Sequence, residues 1–322
     1  MTLPTSRKRC SGDSNVAELF FSLIDYRNNL FTSNDPQDII NFYDSFRSRD
    51  DLIEWMKERP KGATYIHEAE GNKDIVVVIP TADFNGKYAR ECRENIFKGL
   101  HIIFVESGEI PDPYFNYANN CNVGIKKALE YNPKWIVVSN DDMYKIDGTD
   151  SLISALNEIS PEDIDCVFTD QGRYHSTNGY IGKPRVWFWL MLKFMPGYFK
   201  GFGRVSRNLS GGKYTPVKNH SLLHRIFYKK IRDVTLILDF GIFSSKFLII
   251  NGGTVFDETY VNGGEDSDLS LRIEHNGKKG FINYRIGDRV GSTIGVGISR
   301  WLRNVCAEAY FSYKIENGSL KL

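Results

Sequence analysis

At 322 residues, with 41% apolar and 13% aromatic side chains, the chain can bury one large hydrophobic core and a small appendage. Its formal net charge of +1 argues against nucleic acid as a partner, because proteins that bind phosphate backbones usually carry a strong basic excess. The five cysteines stand singly, which favours a reducing compartment and indicates no zinc site. With neither an apolar signal core nor an apolar stretch of about 18 residues, the sequence predicts a cytoplasmic protein.

Residues 1–70 are polar and charged, and their apolar side chains recur at helical spacing between breaks at Pro36 and Pro60. The pattern predicts a helical extension in front of the main domain. Two roles are open, a cap packed over one edge of the main domain or a helix that docks a partner. The periodic residues are Ala17, Phe20, Phe21, Ile24, Ile39, Ile40, Phe42, Tyr43, Phe46, Leu52, Ile53, Trp55 and Met56.

The main domain is predicted over residues 71–300, followed by a C-terminal helix or tail over 301–322. Its strands and helices alternate, which predicts an α/β class with a mainly parallel, mixed sheet and helices on both faces. In such sheets, ligands bind at the carboxyl ends of the strands. Strands are predicted over 74–79, 101–105, 135–138 and 164–168, and helices over 88–100, 119–131 and 151–159.

Polar residues follow the first two predicted strands. Pro80 and Thr81 end the first, where the proline is also what a simple strand terminator requires. Glu106 ends the second, where a carboxylate can accept hydrogen bonds from a nucleotide base or ribose. A solvated loop glutamate is an equally good interpretation of Glu106.

Asn140, Asp141 and Asp142 follow the apolar strand 135–138. Hard cations such as Mg²⁺ and Mn²⁺ bind through one or two carboxylates together with diphosphate oxygens, so Asp142 is a candidate metal ligand. The alternative is a capped turn without a metal. The position after a buried strand favours the ligand.

A third acidic segment opens a predicted helix, where Gly263 and Gly264 precede Glu265, Asp266 and Asp268. Carboxylates in a first helical turn are stabilised by the helix dipole, which would explain them without a function. The two glycines favour a site, because they let the backbone approach a ligand closely.

Taken in order, these motifs resemble those of the family 2 glycosyltransferases of the GT-A fold. The matching segments are Ile79-Pro80-Thr81, Asn140-Asp141-Asp142, Phe256-Asp257-Glu258 and Gly264-Glu265-Asp266-Ser267-Asp268-Leu269, with Asn122-Val-Gly-Ile125 on the helix before the metal strand. The resemblance covers about residues 74–170 and 236–297. It implies an inverting transfer of sugar from a nucleotide-sugar donor to a hydroxyl of a glycan or lipid-linked acceptor.

The resemblance also implies roles for individual residues. Asp266 would be the catalytic base, Glu265 and Asp268 would orient backbone or acceptor, and Asp142 would hold a divalent cation, Mn²⁺ or Mg²⁺. The nucleotide-sugar would be bound by Pro80, Thr81, Glu106, Asn122, Asn140, Asp141 and Gly264.

The chain departs from the family pattern at two points. Residues 288–295 contain no histidine where members often carry a further metal ligand, so Ser292, another group or water would take its place. Glu106 stands where an aspartate is usual. Two other functions stay open, a nucleotidyltransferase acting on a sugar phosphate and an inactive, membrane-associated binding protein.

Between the two matched regions lies a basic, aromatic insertion over residues 171–233. From 171 to 232 it holds thirteen Lys or Arg and no Asp or Glu, interleaved with aromatics. Two interpretations of the insertion are equally supported. It could attach the protein peripherally to the anionic inner face of a membrane, or it could form a helical hairpin packed on the core with a solvated basic rim. A nucleic-acid groove would explain none of the carboxylate motifs.

Overall fold

The computed structural model describes residues 30–108, 113–169, 177–209, 214–218, 222–261, 263–289 and 297–322. A mixed sheet of seven strands runs through them in the order β1-β3-β2-β4-β10-β6-β11, with helices packed on it. The predicted α/β class is therefore confirmed. Its strands are β1 (Thr64–Ala69), β2 (Asn72–Thr81), β3 (Leu100–Ser107), β4 (Trp135–Ser139), β6 (Cys166–Phe168), β10 (Phe240–Ser244) and β11 (Lys279–Phe281).

Two smaller sheets stand beside the large one. β5 (Met143–Lys145) pairs with β12 (Ile286–Asp288), and β7 (Asn178–Pro184) lies between β8 (Thr215–Lys218) and β9 (Tyr228–Thr235). The helices are α1 (Pro36–Asp44), α2 (Arg49–Glu58), α3 (Lys87–Glu91), α4 (Tyr117–Leu129), α5 (Thr149–Asn157), α6 (Val186–Phe194), α7 (Tyr198–Leu209), α8 (Leu222–Phe227), α9 (Ser245–Ile250), α10 (Glu265–Asn276) and α11 (Gly297–Glu316).

The apolar run in β2 is buried on both faces of the sheet. Ile75, Val77 and Ile79 pack into one core layer, and Val76 and Val78 into the other. Alternate strand residues point to opposite faces, so a continuous β-branched run suits a strand covered on both sides. β2 pairs in parallel with β3 and β4, which brings the ends of these three strands to one edge of the sheet.

Two local predictions were wrong. Residues 64–69 were assigned to the helical extension, but they form β1, an antiparallel edge strand on β3 that leaves Tyr65 and Ile66 exposed. An edge strand with little burial lacks the apolar run on which the prediction relied. The helix predicted over 88–100 ends at Glu91 and continues as a wide π-turn at Cys92–Ile96, a geometry frequent near functional sites.

The extension, the insertion and the C-terminal helix share a third core. α1, α2, α7 and α11 contribute most of its buried side chains, which supports the role of a cap for the described part of the extension. A bidentate ion pair joins Arg204 of α7 to Asp44 beside α1. Residues 1–29, including Ala17, Phe20, Phe21 and Ile24, lie outside the described residues. Within the described ranges, none of the helices is both long and apolar enough to span a bilayer.

Candidate functional site

The predicted polar residues at the ends of β2 and β4 are in contact. The Thr81 hydroxyl donates to Asp141 Oδ2 at 2.7 Å, across 60 residues of sequence. Pro80 is buried one residue earlier, paired with Val105 of β3. Burial raises the pKa of Asp141, and the bond from Thr81 opposes that rise. The parallel pairing of the strands therefore assembles this corner of the site.

Asp142 is surrounded by other carboxylates. Burial and then the charges of Asp141, Asp239 and Asp288 together raise its pKa to about 6. Crowded carboxylates repel one another unless a cation lies among them. Asp142 stays a candidate ligand for a hard divalent cation, which takes oxygen ligands, but among the described residues its acidic neighbours do not bring three ligand atoms within 4.8 Å of one another.

Asp239 is a candidate site residue that the sequence did not predict. It immediately precedes β10, which runs antiparallel to β4 with Phe240 opposite Ser139. The Asn140 side-chain amide donates to Asp239 Oδ1 at 3.0 Å, and the Asn140 backbone N–H donates to the Asp239 carbonyl at 2.9 Å. A polar residue directly after the apolar run 236–238 was the only local signal.

Asp239 also connects the two principal aspartates. Its charge raises the pKa of Asp142 and that of Asp266, although these two are separated by 124 positions in the sequence. Both carboxylates therefore lie close enough to Asp239 to interact with it electrostatically. Asp142 follows β4, Asp239 precedes β10 and Asp266 lies in the first turn of α10.

Asp266 stands in the first turn of α10. Its Oδ1 accepts hydrogen bonds from the Ser267 backbone N–H at 2.6 Å and from the Ser267 hydroxyl at 3.2 Å. Burial and the charge of Asp239 raise its pKa, while the ammonium of Lys218 lowers it. Asp266 is half-buried, so solvent or a ligand can reach it.

The two glycines before α10 have conformational and packing reasons. Gly263 and Gly264 have φ values of 145° and 92°, which L side chains rarely adopt. A Cβ on Gly264 would lie 2.9 Å from the Tyr260 ring and 3.3 Å from Ala307 of α11. Close approach to a ligand is therefore not needed to explain them, and ligand binding at Gly264 stays a prediction.

The other two acids of α10 are buried and held by the protein. Glu265 Oε2 accepts the Gly263 backbone N–H at 2.7 Å, and burial together with the charge of Asp266 raises its pKa. Asp268 is fully buried and pairs with Lys314 at 2.6 Å and Arg272 at 2.8 Å. These contacts fix the first turn of the helix that carries Asp266.

The Phe256-Asp257-Glu258 segment holds neighbouring helices together. Lys314 bridges Asp257 at 2.8 Å and Asp268, which ties α11 to α10. Asn122 is buried, and its amide donates to the Phe256 carbonyl and to Glu258 Oε1, each at 2.9 Å. The role of Asn122 in donor binding stays a prediction, because these contacts give it a structural role in α4.

Glu106 is held at the end of β3. Its carboxylate accepts the Phe84 backbone N–H at 3.0 Å and contacts His67 Nε2 at 2.7 Å. The rings of His67 and Phe84 stack with centroids 4.4 Å apart. A carboxylate has about four lone-pair sites, so Glu106 keeps capacity for a ligand.

Asp288 lies where the resemblance led us to expect a histidine ligand. It pairs with Met143 in the β5–β12 ladder, which brings it next to Asp142 and raises the pKa of that side chain. Lys218 Nζ is 3.9 Å from Asp288 Oδ2. The sequence candidate Ser292 lies outside the described residues.

Within the described residues, one group of three ligating side chains is compact enough to hold a metal ion, and it does not include Asp142. Glu68, Glu70 and His101 offer ligand atoms that all lie within 4.8 Å of one another. His101 is buried and Nε2 contacts Glu68 at 2.8 Å, while Lys73 and Lys127 already pair with the two glutamates. His101 is the second residue of β3 and Glu106 lies near its end, so His101 is about 17 Å from Glu106 at 3.3 Å per residue.

Comparison of the chain with protein-family models finds no match, and comparison with curated proteins finds none either. The fold is nevertheless of a recognisable class, a mixed α/β sheet that is consistent with the GT-A type. Functional inference therefore depends on the geometry of the site itself.

Proposed function

We propose that the protein is an inverting, cation-dependent glycosyltransferase that moves a sugar from a nucleotide-sugar donor to an acceptor hydroxyl. The observation that carries the proposal is that strand pairing brings Thr81 onto Asp141 and Asn140 onto Asp239 by side-chain hydrogen bonds of 2.7 and 3.0 Å at the end of the sheet. Asp142 adjoins Asp141, and the charge of Asp239 raises the pKa of both Asp142 and Asp266. Such a transfer needs two carboxylate functions, one beside the leaving diphosphate and one beside the acceptor.

The donor side is assigned to the ends of β2, β3 and β4. Thr81, Asn140 and Asp141 would contact the nucleotide-sugar, with Glu106 beside them as a hydrogen-bond acceptor. Asp142 would hold Mn²⁺ or Mg²⁺, with Asp239 and Asp288 as neighbouring oxygen donors. When bound, the cation would neutralise charge that develops on the departing diphosphate.

The acceptor side is assigned to Asp266. The acceptor oxygen forms a bond to the anomeric carbon, the bond from that carbon to the diphosphate oxygen breaks, and the hydroxyl proton passes to Asp266. A raised pKa helps this step, because a base works best when its pKa lies near the operating pH. The hydrogen bonds from Ser267, and then the charge of Lys218, limit the rise in the pKa.

The experiment screens nucleotide-sugars for release of nucleoside diphosphate with Mn²⁺, with Mg²⁺ and with a chelator. Asp266→Asn is expected to retain donor binding in a thermal-shift assay and to lose transfer by about 100-fold or more. Asp142→Asn is expected to lose the stabilisation that cation and donor give together. Asp163→Asn, an exposed aspartate outside the cleft, is the control and should behave as wild type.

Two results would contradict the proposal. Release of pyrophosphate would indicate nucleotidyl transfer to a sugar phosphate. An Asp266→Asn variant with undiminished transfer would remove the assigned base. Loss of cation dependence in Asp239→Asn would support the arrangement, because Asp239 contacts Asn140 and its charge acts on both Asp142 and Asp266.

A further inference from the structure

Helix α6 presents an apolar face to solvent. Val186, Trp187, Leu190 and Phe194 are 70%, 67%, 37% and 78% exposed. At about 100° per residue these four positions fall within an arc of about 100° on one side of the helix. On the opposite side the helix is buried through Phe188 and Leu192. A soluble surface rarely leaves so many large apolar side chains together without a binding role.

Basic side chains surround this apolar face of α6. Arg185 directly before α6 and Lys193 on it are exposed, and so is Lys200 on the next helix, α7. The Arg185 backbone N–H donates to the Phe227 carbonyl at 2.7 Å, which brings α8 and β9 alongside, with exposed Lys229. Residues 171–232 contain thirteen Lys and Arg and no Asp or Glu, whereas the rest of the chain contains 28 Lys and Arg and 40 Asp and Glu. The insertion is therefore basic and the remainder of the chain is acidic.

We propose that the apolar face of α6, with its basic rim, docks on an anionic lipid bilayer. Trp187 and Phe194 would enter the interface, and the surrounding lysines and arginines would contact lipid phosphates. A second copy of the chain is a poor occupant, because it would bring an equally basic rim against this one. The charge of the rim selects an anionic partner, and the protruding apolar side chains select lipid.

The docking face is connected to the catalytic cleft through β7. Gly179 of β7 pairs with Lys218, which interacts with Asp266, and Val186 follows Gly179 by seven residues. Seven residues span at most about 25 Å, and the step between paired strands adds about 5 Å. Lys218, whose charge acts on Asp266, would therefore lie within about 30 Å of the membrane. If the proposed function holds, this position suits a lipid-linked acceptor.

The test is co-sedimentation of the full chain with vesicles, without any donor or cation. Vesicles of phosphatidylcholine with 30% phosphatidylglycerol should bind the protein, and pure phosphatidylcholine should bind it much less. Raising the salt to 0.5 M should weaken binding, because salt screens the rim. Equal binding to both vesicles, or to neither, would overturn the proposal.

Substitutions separate the two components of the surface. Trp187→Ser with Phe194→Ser should weaken vesicle binding by about tenfold or more. Lys193→Gln with Lys229→Gln should weaken it by about 30-fold, since each lysine near the bilayer contributes about 1 kcal/mol. Ile250→Ala is the matched control, because Ile250 is 74% exposed but lies on α9, and it should bind as wild type.

Each variant is first checked by thermal melting, where these exposed substitutions should leave the transition unchanged. Unaltered vesicle binding in both double variants would overturn the proposal. So would a dimer that depends on Trp187, or binding of RNA in preference to vesicles. Since docking is measured without sugar transfer, its failure would leave the proposed function standing, and an inactive chain could still dock.

Discussion

Replacing Asp142 by asparagine is expected to stabilise the fold in the absence of a cation. The pKa of Asp142 is about 6 against an ordinary value of 3.8, because burial and the charges of Asp141, Asp239 and Asp288 disfavour its ionised form. A difference of about 2 pH units at about 1.4 kcal/mol each gives about 3 kcal/mol. The amide removes the charge while keeping the size of the side chain.

The effect has a defined pH window. Folding raises the pKa of Asp142, so ionisation of this carboxyl destabilises the folded protein. The wild type has its full stability below about pH 4, where the group is protonated, and loses this contribution as the pH rises through 6. Wild type and Asp142→Asn should be equally stable near pH 4. Between pH 4 and 7 the variant should gain on wild type, and above pH 7 the difference should level off at about 3 kcal/mol.

Urea denaturation with EDTA at several pH values measures this difference. Asp147→Asn supplies a control of opposite sign, because hydrogen bonds from Arg285 lower the pKa of Asp147. That variant should be less stable than wild type at pH 7, with the difference fading as pH falls.

Adding Mn²⁺ should stabilise wild type and leave Asp142→Asn unchanged. An Asp142→Asn protein less stable than wild type at pH 8 in EDTA would refute the carboxylate crowding.

Three further outcomes are expected. Lys218→Met removes the cation that lowers the pKa of Asp266, so the acidic limb of the pH profile of kcat/KM should move to higher pH; an unmoved limb would speak against Asp266 as base. Lys314→Met leaves buried Asp268 without its ammonium partner at 2.6 Å, and urea denaturation should show a loss of about 3 kcal/mol. Glu70→Gln should leave cation-dependent transfer intact, because that metal-capable group lies at the opposite end of β3.

Lys246→Met is the matched control for the lysine variants. Its exposed ammonium contacts Glu162 at 3.3 Å, and exposed ion pairs contribute little, so the change should stay within about 0.5 kcal/mol. A loss as large as that of Lys314→Met would show that the fold responds to any lost lysine. The assignment of Lys314 to a buried ionic anchor would then be wrong.

Local patterns predicted most of the central sheet. The apolar runs of β2, β3 and β4 were visible because buried parallel strands carry continuous β-branched residues. The polar residues at their ends followed from the same pattern, since strand ends expose side chains to ligands. The edge strand β1 was not predicted, because a strand with little burial has no apolar run that would indicate it.

The sequence alone was sufficient to predict the polar residues after β2, β3 and β4 and the acidic residues in the first turn of α10. Apolar runs and helix start signals are patterns among residues close together in the chain. Only the tertiary structure decided that Asp239 contacts Asn140 and that its charge acts on Asp142 and Asp266, since the register of β10 against β4 joins residues about 100 positions apart. It likewise decided that Lys314 neutralises Asp268 from α11. Electrostatic interactions act through space, so the charges that tune a carboxylate cannot be read from its own segment.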